Sequence, residues 1–255
     1  MKFIKTEIRD HIATVVLDAP PVNAVSFELM RELIATFDAL GEMDDVRVAV
    51  LTAAGKVFSA GVDIKSRAGA VYEPGDRLAN ARLAREMSYC MIECKKPIIA
   101  AVNGPALGAG LGLAASCDIL ICSDSASFGL PEIDVGLMGG GKHAMRLFGH
   151  SLTRRMMFTG YRVPAAELYR LGIVEAALPA AELMPFALDM AALIASKSPI
   201  ASRTAKHSAS TIESMGLRDG YRFEQTLTAD LGRTEDSKES MRAFAEKRKP
   251  VFTGR

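Results

Sequence analysis

The chain has 255 residues, of which 49% are apolar and 24% charged, and its formal net charge is +1. That length can bury one sizeable core. The near-neutral charge gives no electrostatic basis for nucleic-acid or membrane-surface partners, so an anionic ligand has to be met by local groups. No run of about 18 uncharged apolar residues offers a membrane span, and residues 1–10 lack the apolar core of a signal peptide, which places the protein in the cytoplasm. Cys90, Cys94, Cys117 and Cys122 stand among helix and strand formers, as in a reducing compartment. The Cys90–Cys94 spacing has no second pair of ligands to go with it, so no metal is expected.

In chain order, Phe3 to Ile8 and Ile12 to Leu17 read as strands joined by a tight turn at Asp10 and His11. Ser26 can cap a helix in which Leu29, Leu33, Phe37 and Leu40 recur at helical spacing. Val48 to Leu51 is a buried strand, Arg77 to Cys94 a helix, and Pro97 to Val102 another buried strand. A glycine-rich turn from Asn103 to Gly112 opens a short helix, and Ile119 to Cys122 and Ala126 to Gly129 are further strands. Beyond Gly139 the pattern is helical except for a strand at Ile173 to Leu178, with helices starting near Glu182, Pro199, Leu217 and Asp236. The alternation defines an α/β fold. We divide it into a core over residues 1–195 and a C-terminal helical lobe over 196–255, working as one functional unit.

Two segments are suited to chemistry. In Lys56-Val-Phe-Ser-Ala-Gly-Val-Asp-Ile-Lys65, the small residues Ser59, Ala60 and Gly61 follow a strand and let the backbone approach a ligand closely. In Asn103 to Asp118, a buried strand passes through glycines into an apolar helix whose first N–H groups have no intrahelical acceptor. A phosphate-binding loop is excluded because the Gly-x-x-x-x-Gly-Lys-[Ser/Thr] pattern is absent. Each segment alone is also explained by a tight turn or by helix packing. Parallel neighbouring strands would bring the two turns side by side, and two converging backbone donors form an oxyanion hole.

These residues closely resemble the crotonase superfamily of enoyl-CoA hydratases and isomerases. The resemblance runs through Pro21-Val-Asn-Ala24, Phe58 to Ile64, Asn103 to Asp118, Phe128-Gly-Leu-Pro-Glu-Ile133 and Glu246-Lys-Arg-Lys-Pro250. It implies a crotonase-like ββα spiral with a C-terminal helical region, assembled as a homotrimer or homohexamer. It also implies an acyl-CoA substrate, with coenzyme A entering as part of that substrate and no separate cofactor. The N–H groups of Val62 and Ala109 would form the oxyanion hole. Ala60, Asp63, Ile64, Lys65 and Gly108 would line the coenzyme A path, and Lys247 could reach its phosphates, as could Lys249. RNA binding, known in some relatives, would call for a lysine-rich helix, and none is visible.

Many family hydratases resemble one another in having two glutamates that grip one water. The second matches Glu132, whose apolar neighbours Phe128, Leu130 and Ile133 would desolvate it and raise its pKa toward a general base's range. The first falls where this chain has Gly112, which would leave room for a bulkier acyl group. A single carboxylate suits isomerisation of a 3-enoyl-CoA to a 2-enoyl-CoA, and some single-glutamate relatives add water, so hydratase and isomerase stand together. A silent acyl-CoA-binding member is the alternative of another class. His143 is read as solvated or helix-capping before it is read as touching substrate, and Lys142 as exposed or able to meet a phosphate.

Overall fold

The computed structural model describes residues 1–64 and 71–255. Strands β1 (Ile4–Arg9) and β2 (Ile12–Leu17) form an antiparallel hairpin whose turn residues, Asp10 and His11, have φ of 50° and 66°. Two positive φ values in a two-residue turn match the twist of the flanking strands. Strand β2 buries every second residue, Ala13, Val15 and Leu17, in one core with Leu29, Leu33 and Phe37 of helix α1 (Phe27–Glu42). The Ser26 hydroxyl accepts the Leu29 N–H at 3.1 Å, which caps α1 as its sequence requires.

Next come β3 (Val48–Ala53), α2 (Asp76–Ile92), β4 (Ile98–Val102), the two-residue β5 (Ala106–Leu107), α3 (Ala109–Ala115), β6 (Ile119–Ser123) and β7 (Ser127–Gly129). A 3-10 helix (Pro131–Val135) then leads to α4 (Gly141–Leu147), α5 (His150–Thr159), β8 (Arg162–Pro164), α6 (Ala165–Arg170) and β9 (Ala177–Leu178). The chain ends in α7 (Ala180–Ala195), α8 (Pro199–Ile212), α9 (Leu217–Leu231) and α10 (Glu235–Ala245). A six-stranded sheet has the order β1-β2-β3-β4-β6-β9 and is parallel from β2 onward, and β5, β7 and β8 form a second sheet.

Strands β3 and β4 are buried on both faces, which explains their uninterrupted apolar sequences. One face joins the core around α1. The other packs Val48, Val50, Ile99, Ala101 and Ile121 against Leu183, Ala187, Ala191 and Ala195, a four-residue period along α7. Among the described residues, no single helix is long and apolar enough to cross a membrane. Burial also accounts for the thiols: Cys94, Cys117 and Cys122 lie in the interior, and desolvation pushes Cys122 up to about 12.

Two expectations need correction. The strand read from Ile173 to Leu178 is regular only at Ala177–Leu178, and β8 was not anticipated in the helical half. Arg162-Val-Pro164 has no alternating apolar pattern of its own, and its extended form comes from antiparallel pairing with β7.

Asp118 joins the C-terminal lobe to the sheet. Its Oδ2 accepts the Ile98 N–H at 2.6 Å and the Lys206 ammonium at 2.8 Å, and that lysine side chain is 3% exposed. Lys206 also donates to Met91 O at 2.9 Å. Asp118→Ala should therefore leave a buried cation without its counter-charge. We expect a loss of about 3 kcal/mol in a denaturant titration, larger than that of Asp118→Asn, which keeps an acceptor.

Candidate active site

The second sheet positions the site. Ser59 bridges Ala106 in parallel, and Ala106 pairs with Phe128, so these three residues form one lateral row. The bridge is made by Ser59 N–H to Pro105 O (3.2 Å) and Leu107 N–H to Ser59 O (2.9 Å). Beyond the row, the segments Ala60–Asp63, Leu107–Ala109 and Gly129–Glu132 emerge together at the C-terminal ends of parallel strands, where α/β folds place their ligands. The contact is close enough to require glycine. A Cβ on Gly61 would lie 2.8 Å from Leu107 O and 3.5 Å from Ala109 N, and one on Gly110 would lie 2.5 Å from Ser59 O.

The two backbone donors expected from the sequence are brought to one cavity. Val62 bridges Val25 through the Val25 N–H to Gly61 O (2.8 Å) and the Asp63 N–H to Val25 O (3.1 Å), an arrangement that leaves the Val62 N–H unused. Ala109 is the first residue of α3, where an N–H has no intrahelical acceptor. Neither N–H has a backbone acceptor among the described residues. Both residues line a cavity of about 270 Å³ together with Glu132, Gly108, Gly112 and His143.

Glu132 sits in the 3-10 helix directly after β7. Because Leu107 pairs with Gly129 and the Gly108 N–H donates to Gly129 O at 2.9 Å, the carboxylate is brought against Gly108. A Cβ on Gly108 would stand 2.4 Å from Glu132 Oε1, so the missing side chain makes the space for this carboxylate. Glu132 Oε2 is buried and has no hydrogen-bond partner. Burial pushes its carboxyl above the ordinary 4.5, an effect offset in part by its own backbone N–H. A desolvated acceptor with no donor is a feature of sites that handle protons.

His143 departs from expectation. The sequence reading made it solvated, whereas its imidazole is in the cavity wall, with Cδ2 3.7 Å from where a Gly112 Cβ would be. Gly112 lines the cavity, and the imidazole stands at ordinary contact distance from where its side chain would be. Lys142 is exposed, as read. Of the residues expected to meet coenzyme A, Gly108 lines the cavity; Asp63 is half-buried next to Val62 in sequence, and Ala60 and Ile64 are exposed. Lys65 lies outside the described residues. Lys247 is on an exposed turn after α10, with φ of 54°, and does not line the cavity.

Among the described residues, the cavity is also walled by Met30 of α1, by Ala84, Met87 and Ser88 of α2, and by Leu137 and Met138. Residues 84, 87 and 88 share one helix face, a pattern that would have indicated them had α2 been read for a second buried stripe.

The enoyl-CoA hydratase/isomerase family profile matches residues 7–255. A hexahydro-indene-carboxyl-CoA hydrolase of Rhodococcus jostii is 36% identical over 252 residues, 98% of this chain and 96% of that protein. The 2,3-dehydroadipyl-CoA hydratase of Escherichia coli is 34% identical over 237 residues, 91% of each. A crystal structure of enoyl-CoA hydratase from Bacillus anthracis superposes with a TM-score of 0.92 at 32% identity, covering 99% of this chain and 100% of that one. The α/β fold is therefore the crotonase fold, and the chain belongs to the enoyl-CoA hydratase/isomerase family.

Proposed function

We propose that this protein acts on enoyl-CoA thioesters, holding the thioester oxygen between the N–H groups of Val62 and Ala109 and moving a proton at the α-carbon with Glu132. The observation that carries this reading is the buried, unpartnered Glu132 Oε2 in the same cavity as two unused backbone donors. Proton transfer at the α-carbon places negative charge on the thioester oxygen, and fixed donors aimed at that atom stabilise it in a dry site. Desolvation raises the Glu132 pKa, which makes its carboxylate a stronger base. Backbone at Ala60, Asp63, Ile64 and Lys65, with Gly108, would accommodate the coenzyme A portion, and Lys247 would act from outside the cavity.

The hydrolase and hydratase names of the relatives both describe the addition of water, and the same enolate chemistry also serves isomerisation. The test is to incubate panels of 2-enoyl- and 3-enoyl-CoA in deuterated water and follow them by mass. We expect a 2-enoyl-CoA to gain one D2O, or a 3-enoyl-CoA to move its double bond with deuterium incorporated. No reaction with either panel, together with no α-hydrogen exchange from butyryl-CoA, would overturn the proposal.

A further inference from the structure

Gly108, the cap residue just before α3, and Gly112 within it both border the cavity, and the Gly112 N–H donates to Gly108 O at 3.1 Å, which sets them one turn apart. Glu132 covers the first of these glycines and His143 the second. The carboxylate and the imidazole thus flank the same bare helix face, one turn apart, in a cavity they share with the two backbone donors.

The imidazole is held in this place by more than contact with Gly112. Arg146, one turn beyond His143 on α4, donates to Ala115 O at 2.6 Å, and Ala115 is one turn beyond Gly112 on α3. The two short helices therefore run side by side in register, His143 on Gly112 and Arg146 on Ala115. Both remaining arms of the Arg146 guanidinium bond Glu213 at 2.7 Å, which fixes the register from the C-terminal lobe. On its other side, His143 Nε2 stands 3.5 Å from the hydroxyl of Ser88, a buried residue of the cavity wall. That contact is too long for a strong bond and leaves the nitrogen able to take a water molecule.

We propose that His143 is the second proton carrier of this site, the base that activates water for addition to a 2-enoyl thioester. This inference rests on the acyl-CoA reading above. The imidazole nitrogen takes a proton from water as the water oxygen bonds to the β-carbon. The π electrons of the double bond move to the thioester oxygen, where the Val62 and Ala109 N–H groups hold the enolate. Protonated Glu132 then gives its proton to the α-carbon, the enolate electrons forming that C–H bond. The imidazolium proton passes to the Glu132 carboxylate, which restores both groups, and the net change is one water added across one double bond. Burial shifts both groups in the direction this step uses. Burial, helped by the nearby Arg146 charge, pushes His143 below its ordinary 6.5 and so toward neutral imidazole, while burial favours the protonated form of Glu132.

The test compares two reactions of His143→Gln and His143→Ala. One is hydration of crotonyl-, 2-decenoyl- and cinnamoyl-CoA. The other is α-hydrogen exchange of butyryl-CoA in deuterated water, which uses the carboxylate and the donors but consumes no water. We expect kcat for hydration to fall by about 100-fold in both variants with KM changed less than threefold. Exchange should fall at least tenfold less than hydration. Equal losses in the two reactions would make His143 a packing residue and overturn the inference, as would unchanged hydration or a wild-type protein that exchanges and isomerises but adds no water. A wild-type protein that neither exchanges nor converts any thioester would instead remove the acyl-CoA reading beneath it.

Discussion

Glu132→Gln is expected to lower turnover of the best enoyl-CoA substrate by about 1,000-fold, since a positioned acid/base contributes on the order of 100 to 10,000-fold and glutamine can neither give nor take a proton at the α-carbon. Binding should survive, because the Val62 and Ala109 N–H groups and the coenzyme A path remain in place. The decisive measurement is kcat beside the dissociation constant of a non-reactive thioester. Unchanged turnover would mean that the chain's chemistry does not pass through this carboxylate. The same variant should report on stability. A carboxyl whose pKa is raised by folding contributes stability at pH values below its ordinary 4.5 and loses it as pH rises through the raised value. Glutamine does not ionise, so the melting temperature of Glu132→Gln should match wild type in acid and exceed it at neutral pH. Loss of activity with gain of stability is the signature of a group held in an unfavourable state for its function.

Gly108→Ala should be the second most damaging single change at the site. Its φ of 54° and ψ of −117° suit glycine, and the new methyl would fall 2.4 Å from Glu132 Oε1. Two effects are therefore combined, backbone strain of about 1 to 3 kcal/mol and displacement of the carboxylate from its position. Gly172→Ala separates them, because Gly172 has φ of 69° with open space around its missing Cβ. Both variants should lose stability in urea, but Gly108→Ala should also lose about 100-fold in kcat, whereas Gly172→Ala should keep wild-type kcat. Equal kcat in the two would show that Glu132 does not depend on the bare surface at Gly108.

The parts of this architecture that were readable in the sequence are those governed by local periodicity. The hairpin at Asp10 and His11, the capped stripe of α1 and the apolar runs of β3 and β4 each declare themselves within a few residues. Ser59, Ala60, Gly61 and the glycines from 104 to 112 marked the two close-approach turns, and the fold brings these turns together through the Ser59–Ala106 bridge. What escaped was set by distant partners. β5 and β8 are two- and three-residue strands whose pairing is supplied by β7. His143 faces the cavity because Arg146 bonds Ala115 and Glu213, residues 31 and 67 positions away, and no pattern around His143 reveals that register. The run Gly139-Gly-Gly141 just before it was the available clue, since consecutive glycines mark places where chain segments come close.

The bare face of α3 also bears on how such a protein changes over generations. The wall that carries the unused Ala109 N–H offers glycines and an alanine to the cavity, while Glu132 and His143, the two side chains proposed to carry protons, come from the single stretch between residues 131 and 143. The donor frame is knitted into the sheets and cannot be altered without cost to folding. The stretch that faces it is largely solvent-exposed from Ile133 to Met138 and tolerates substitution more readily. On the proposed mechanism, a lineage built this way can exchange one thioester reaction for another by small edits to one surface segment, inheriting the backbone frame unchanged.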